Sequence, residues 1–266
     1  MKTKKNVFYF GNKKSDGNGR MKEVLGGKGA GLAEMTEIGI NVPPGFTIST
    51  NVCDMFYKNK KQTPGTVTKE IRLNLAKLEK MTKKGFGDIK NPLLVSVRSG
   101  AMFSMPGMMD TILNLGLNDK TVEGLAKKTK NPRFAWDAYR RFIQMFSDVV
   151  LDVSKDLFEE KLEELKKKKK VKHDVELNEV ALKSLVQDYK KLVKSRTGKI
   201  FPQEPLDQLK KAINAVFLSW NNKRAIFYRK KYDIPGDIGT GVTVQSMVFG
   251  NMGNDCSTGV AFTRNP

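Results

Sequence analysis

The run Gly26-Gly27-Lys28-Gly29-Ala30-Gly31 is the first segment whose residue types suit chemistry. Glycines let backbone N–H groups approach phosphate oxygens, and a helix that follows presents its positive end. Lys28 adds a point charge for a phosphate. The spacing is not that of a Walker A loop, because Gly29 stands where Ser or Thr would meet Mg²⁺. Arg98 is the second candidate. It closes an apolar stretch and precedes Ser99-Gly100, and strand ends are where open sheets expose ligand-binding groups. An arginine there needs an anionic partner, either a ligand phosphate or a nearby carboxylate. Ser104-Met105-Pro106-Gly107-Met108 is the third. Such a loop either closes over a ligand or lends its methionines to gaps in the core. Arg140 and Arg141 are the fourth; adjacent on a helix, they point in different directions, so at most one faces a cleft. His173, in Lys172-His173-Asp174, lies in a basic run, is placed in solvent, and receives no role. It is the single histidine, which excludes every mechanism that needs two.

The elements that must position these groups are legible in the spacing. Residues 7–10 read as a strand and 12–20 as a turn. The glycine-rich run reads as a loop, after which Leu32, Met35 and Ile38 recur at helical spacing and Gly39 closes the helix as a left-handed C′ residue. Pro43-Pro44-Gly45 turns the chain into a strand at 46–49. Ile71, Leu75, Leu78 and Met81 predict a helix over 67–81. Residues 93–99 read as a buried strand and 111–117 as extended chain. From about 119 to 202 the pattern is helical, with Phe134, Ala138, Phe142, Met145 and Val149 on one face. A further helix is predicted over 206–220. Residues 242–249, a turn rich in Gly and Asn at 250–257, and 259–263 predict a hairpin. An ending just past a strand suggests a truncated chain.

Composition bounds the alternatives. The chain has 266 residues, 48 Lys+Arg and 28 Asp+Glu, a formal charge of +20, with 39% hydrophobic residues. That is enough apolar material for a core and argues against disorder along the whole length. No run of about 18 apolar residues predicts a membrane span, and no apolar run after Met1 predicts a secretory signal. Two cysteines, Cys53 and Cys256, are too few for a disulfide framework or a zinc cluster and suit a reducing, cytoplasmic setting. The positive charge invites a nucleic-acid reading. The dense lysines at 166–170, however, end a Glu/Lys helix built on Phe158, Leu162 and Leu165, where cations suit the macrodipole. A nucleic-acid partner therefore ranks last, and no membrane partner is expected.

Taken together, six blocks resemble the amino-terminal part of the pyruvate, phosphate dikinase family. They are LGGKGAGLAEMTEIG (25–39), NPLLVSVRSGAMFSMPGMMDTILNLGL (91–117), NPRFAWDAYRRFIQMFSDVV (131–150), FPQEP (201–205), AIFYRKKYDIPGDIG (225–239) and VQSMVFGNMGNDCSTGVAFTRNP (244–266). They occur in the family's order. Phosphoenolpyruvate synthases share a GGKG-like loop and an arginine strand, but the MPGMMDT wording looks like the dikinase.

The resemblance implies an α+β, ATP-grasp-type nucleotide-binding domain with an inserted helical subdomain and an incomplete second lobe. The implied division is 1–117 for the first lobe, 118–202 for the helical insertion, 203–240 for a return to the first lobe and 241–266 for the start of the second. The implied reaction interconverts ATP, phosphate and pyruvate with AMP, pyrophosphate and phosphoenolpyruvate. Phosphate travels on a histidine of a swivelling domain to a pyruvate-binding barrel. By resemblance Lys28 and Arg98 bind the ATP phosphates, and Gly100, Ala101, Ser104, Met105, Pro106, Gly107 and Met108 form the loop over them. Arg140 or Arg141 lies near the γ-phosphate, and Gln245, Met247 and Val248 fall in a strand bordering the adenine. Mg²⁺ accompanies ATP, held by carboxylates expected beyond residue 266. No acceptor histidine is expected here, since His173 lacks the family's Thr-Ser-His-Ala context, and the chain alone is expected to be inactive. The complete enzyme is expected to be a homodimer. The competing readings are a catalytically silent fragment or binding module, and a kinase like phosphoenolpyruvate synthase.

Overall fold

The computed structural model describes residues 5–262 and residue 264. Its strands are β1 (Val7–Gly11), β2 (Lys14–Ser15), β3 (Gly45–Ile48), β4 (Val95–Gly100), β5 (Thr111–Leu115) and β6 (Gly241–Ser246). They form one six-stranded sheet in the order β2-β1-β3-β6-β4-β5, each neighbouring pair antiparallel. The helices are α1 (Lys22–Glu37), α2 (Asn51–Lys58), α3 (Gly65–Thr82), α4 (Thr121–Thr129), α5 (Pro132–Leu151), α6 (Lys155–Lys169), α7 (Glu179–Thr197), α8 (Pro205–Ser219) and α9 (Lys223–Lys231). The class is α+β.

Strand alternation decides what each face of the sheet meets. On β4, Val95 and Val97 enter the main core, and Val242 and Val244 of β6 join them. That face carries α3 and α8. Ser96 and Arg98 therefore point the other way, with Thr243 and Gln245 as their cross-strand neighbours and Thr47 beside Thr243. α1 covers this second face: Leu25, Ala30 and Ala33 pack with Phe8, and a Cβ on Gly29 would meet the Thr47 methyl at 2.8 Å. A polar stripe is thus sandwiched between sheet and helix, while the opposite face is apolar.

Most predicted elements are present, and local chemistry explains their limits. Gly39 has φ +88° just past α1, as its C′ role requires. Asn131 caps α5 by accepting from the Phe134 N–H, with Pro132 at the first helical position. Ser154 caps α6 by accepting from the Asp156 N–H. The lysines at 167–170 end α6 in solvent, and His173 is exposed.

Two expectations are corrected. The glycine-rich run is not a loop: it lies within α1, which bends at Gly26 (φ 68°, ψ 169°) and resumes helical geometry. The hairpin does not form among the described residues. β6 instead bonds to β3 on one side and β4 on the other, so both its edges are already satisfied. Residues 259–262 are exposed coil, and Thr263 lies outside the described residues. β6 is thus one of the inner strands of the sheet.

The helical stretch after β5 shares the main core with the sheet rather than building its own. α5 is the bridge, packing on β5, α4, α7 and α8. A charged cluster pins it. Arg140, 3% exposed, donates from Nε to Asp137 Oδ1 at 2.8 Å and from Nη2 to Asp174 Oδ2 at 2.7 Å. Burial alone would raise the Asp174 carboxyl, but Arg140, Lys166 and Arg141 outweigh it and hold it below the usual range. A carboxyl so depressed stabilises the fold above the ordinary pKa of ~3.9 and loses that contribution as pH falls through its folded-state value. Asp174→Asn is therefore expected to lower the melting temperature near pH 7. Below about pH 3 the variant and parent should converge. Melting curves across that range check it; an equal deficit at both ends would exclude the ionic explanation.

Candidate functional site: a cationic cleft at the tip of β4

The bend at Gly26 creates the site. A Cβ at Gly26 would stand 1.6 Å from the Gly100 carbonyl oxygen, so only glycine permits the backbone of α1 to touch the tip of β4 here. The Gly27 N–H then donates to the Ala101 carbonyl at 2.9 Å. The resumed helix starts against the Gly100-Ala101 turn, with its positive end toward that turn. Lys28 follows at once, its Cβ 3.7 Å from where a Gly100 Cβ would be.

A cleft of about 500 Å³ opens at this junction. Gly27, Lys28, Ser99, Gly100 and Ala101 form one wall, and the loop from Met102 to Gly107 forms much of the rest, with Met109 and Thr111. Among the described residues, no carboxylate lines it. Burial, and then the Arg98 guanidinium, hold the Lys28 amine below the ordinary lysine range. Arg98 lies two residues before Gly100 on the same face of β4, and Lys28 sits beside Gly100, but Arg98 itself does not line the cleft. Arg98 is also held below its ordinary value, with burial as the cause. Its guanidinium turns back along the sheet and donates from Nη2 to Gln245 Oε1 at 2.5 Å. That acceptor is neutral.

Arg140 and Arg141 differ in their partners. Arg140 is matched by two carboxylates that hold α5 in place, and it also lines the larger of two neighbouring cavities. Arg141 is half exposed, tied to Asp137 at 2.9 Å, and lines two neighbouring cavities of about 320 and 200 Å³. Neither shares a lining residue with the Lys28 cleft, but Leu113 and Asn114, which line both, lie two and three residues along β5 from Thr111. At the strand rise that is about 7–10 Å.

The residues expected at the adenine divide. Met247 and Val248 lie beyond the end of β6, in the cavity that Arg141 lines, with Val248 exposed. Gln245 is on the strand and buried, with its amide turned to Arg98 and Pro43. Met105 is buried in the core, whereas Met102, Phe103 and Ser104 are exposed at the cleft. Gly107 turns with φ +73°, and Asn222 donates to the Met108 carbonyl at 3.1 Å, tethering the loop to the start of α9. Pro106 lines the cleft, but Met108 does not. Gly26 is legible only as part of the glycine-rich run, without its contact to Gly100, and Ser99, Met102, Phe103, Met109 and Thr111 line the cleft without standing out in the sequence by type or spacing.

Comparison with known proteins gives this geometry a family. The model of the pyruvate phosphate dikinase AMP/ATP-binding domain matches residues 22–84 and 59–266. The chain belongs to the pyruvate, phosphate dikinase family. Among curated relatives, the pyruvate, phosphate dikinase of Clostridium symbiosum is 56% identical over 252 residues, covering 94% of this chain and 29% of the relative. The chloroplastic pyruvate, phosphate dikinase of Flaveria pringlei is 53% identical over 264 residues, covering 99% of this chain and 28% of the relative. The chloroplastic pyruvate, phosphate dikinase 1 of Oryza sativa subsp. japonica gives the same figures of 53%, 99% and 28%. The chain thus spans under a third of the length of these relatives. Among the described residues, no helix is long and apolar enough to cross a membrane.

Proposed function

We propose that this chain is the ATP-binding part of a pyruvate, phosphate dikinase, with the triphosphate seated in the cleft between α1 and the tip of β4. The observation that carries the reading is the pair Lys28 and Arg98: two partly buried cations at the junction of α1 and β4, on either side of Gly100, with no ion pair to a carboxylate among the described residues. Such an arrangement is unfavourable until an anion arrives. Phosphoryl transfer asks a protein mostly for positioning and charge neutralisation, which this pair and the adjoining backbone supply. Lys28 is a compact charge, whereas the Arg98 guanidinium can grip two oxygens at once. The loop over residues 101–110 excludes water when a nucleotide is bound, hinging between its buried Met105 and its tether at Asn222.

In the complete reaction, ATP, phosphate and pyruvate are interconverted with AMP, pyrophosphate and phosphoenolpyruvate through a phosphohistidine on another domain, and the complete enzyme is a homodimer. An ATP-grasp clamp fits the sheet and α1 as one lobe, residues 118–202 as inserted helices, and the chain after Ser246 as the way into a second lobe. Arg141, Met247 and Val248 then belong to a neighbouring part of the nucleotide site. Mg²⁺ would accompany ATP and supply charge neutralisation to its phosphates; the cleft lining offers a lysine and backbone N–H groups, which suit phosphate oxygens and not a metal, so carboxylates to hold Mg²⁺ would have to come from elsewhere. Free Cys53 and Cys256 suit a reducing cytoplasmic setting.

The test is competitive amine labelling with peptide mapping. Lys28 should react at lower pH than the surface lysines, and ATP or tripolyphosphate should protect it while leaving the lysines at 166–170 unprotected. Labelling of Lys28 that is indifferent to both ligands would remove the basis of the reading.

A further inference from the structure

Gln245 stood near the adenine by resemblance, yet its side chain does something else. It sits on β6, paired through Gly45 to β3 and through Ser96 to β4, so its backbone is held from both sides. Only 4% of it is exposed. Its Nε2 donates to the Pro43 carbonyl at 2.9 Å, and its Oε1 accepts from Arg98 Nη2. Chemistry allows no other orientation of the amide: a carbonyl can only accept and a guanidinium can only donate.

Resting on the reading of the cleft as a triphosphate site, we propose that Gln245 is the positioning residue of Arg98, aiming its guanidinium while leaving its full charge for the ligand. Each alternative side chain would fail in a definite way. A carboxylate would hold Arg98 but neutralise it, as Asp137 and Asp174 do to Arg140, and would leave Pro43 without a donor. An apolar side chain of similar length would leave a half-buried guanidinium unpartnered and free to rotate. A neutral amide bridging a fixed carbonyl to the arginine meets both needs. The cross-strand neighbours of Arg98, Thr243 and Thr111, carry no charge, so nothing there duplicates the role.

The experiment is a double-mutant cycle on this chain with ATP and with tripolyphosphate as probes, read by calorimetry, together with ¹⁵N NMR of the Arg98 side chain in the ligand-free protein. Gln245→Met is expected to weaken both probes about 10-fold and to release the hindered rotation of the Arg98 guanidinium. Gln245→Glu should keep Arg98 ordered yet weaken both probes more, about 100-fold, because the charge is spent. In an Arg98→Met background either change should have almost no further effect. Equal losses in both backgrounds, or an Arg98 resonance unmoved by Gln245→Met, would overturn the positioning role. If Arg98→Met leaves both probes bound as before, the triphosphate reading of the cleft fails instead. The NMR arm then still decides whether Gln245 orders Arg98.

Discussion

Arg98→Met is expected to reduce ATP affinity about 100-fold while changing the melting temperature by no more than about 2 °C. The two halves of that expectation have one cause. In the free protein the Arg98 charge is half buried without an opposite charge, which disfavours it. Removing it relieves that cost and offsets the loss of its bond to Gln245. In the proposed complex the same charge would meet phosphate oxygens at a partly buried site, where charge-assisted hydrogen bonds are strong. Binding and folding therefore respond in different directions, the pattern of a group retained for function at the expense of stability. Calorimetric titration and a melting curve on the same preparation check both halves. A variant that melts far below its parent while binding ATP normally would show that Arg98 is a structural residue like Arg140.

Gly26→Ala is expected to lower stability by on the order of 3 kcal/mol, about 10 °C in melting temperature for a chain of this size. Its new Cβ would lie 1.6 Å from the Gly100 oxygen, an atom of the backbone that cannot swing aside. The conformation at φ 68°, ψ 169° is also one that only glycine adopts readily. Relief must come from α1 lifting off β4, which carries Lys28 away from Arg98 and so weakens nucleotide binding as well. Gly31→Ala is the control, because nothing lies within 4 Å of its added Cβ and alanine favours the helix. Gly31→Ala should melt at or slightly above the parent temperature. Equal behaviour of the two variants would mean that the contact of α1 with Gly100 does not limit the fold.

Much of the architecture is written in short stretches of chain. The spacing of Ile71, Leu75 and Leu78 marks α3, and all three are buried there. The run of residues 131–150 marks α5, down to its Asn131 cap. Arg98 at a strand end and the Ser104 to Met108 loop beside a glycine-rich run were also visible, as was the family, because each depends on residue types at short range. Such features follow from backbone geometry within a few residues.

The decisions that depend on partners were made elsewhere in the chain. Nothing near residues 242–246 says that they pair with residues 45–48 and 95–100; the local Gly/Asn turn argues for a hairpin, and two distant strands outbid it. Adjacent arginines look alike in sequence, yet Asp174, more than 30 residues on, takes Arg140 and leaves Arg141 exposed. Gln245 reads as one more strand residue until Pro43 and Arg98 arrive on either side of its amide. Local periodicity determined which segments became helices and which became strands. Burial against remote groups decided which charges were neutralised and which were left free to meet a ligand, because the energy of a buried charge depends on what surrounds it in space and not on its neighbours along the chain.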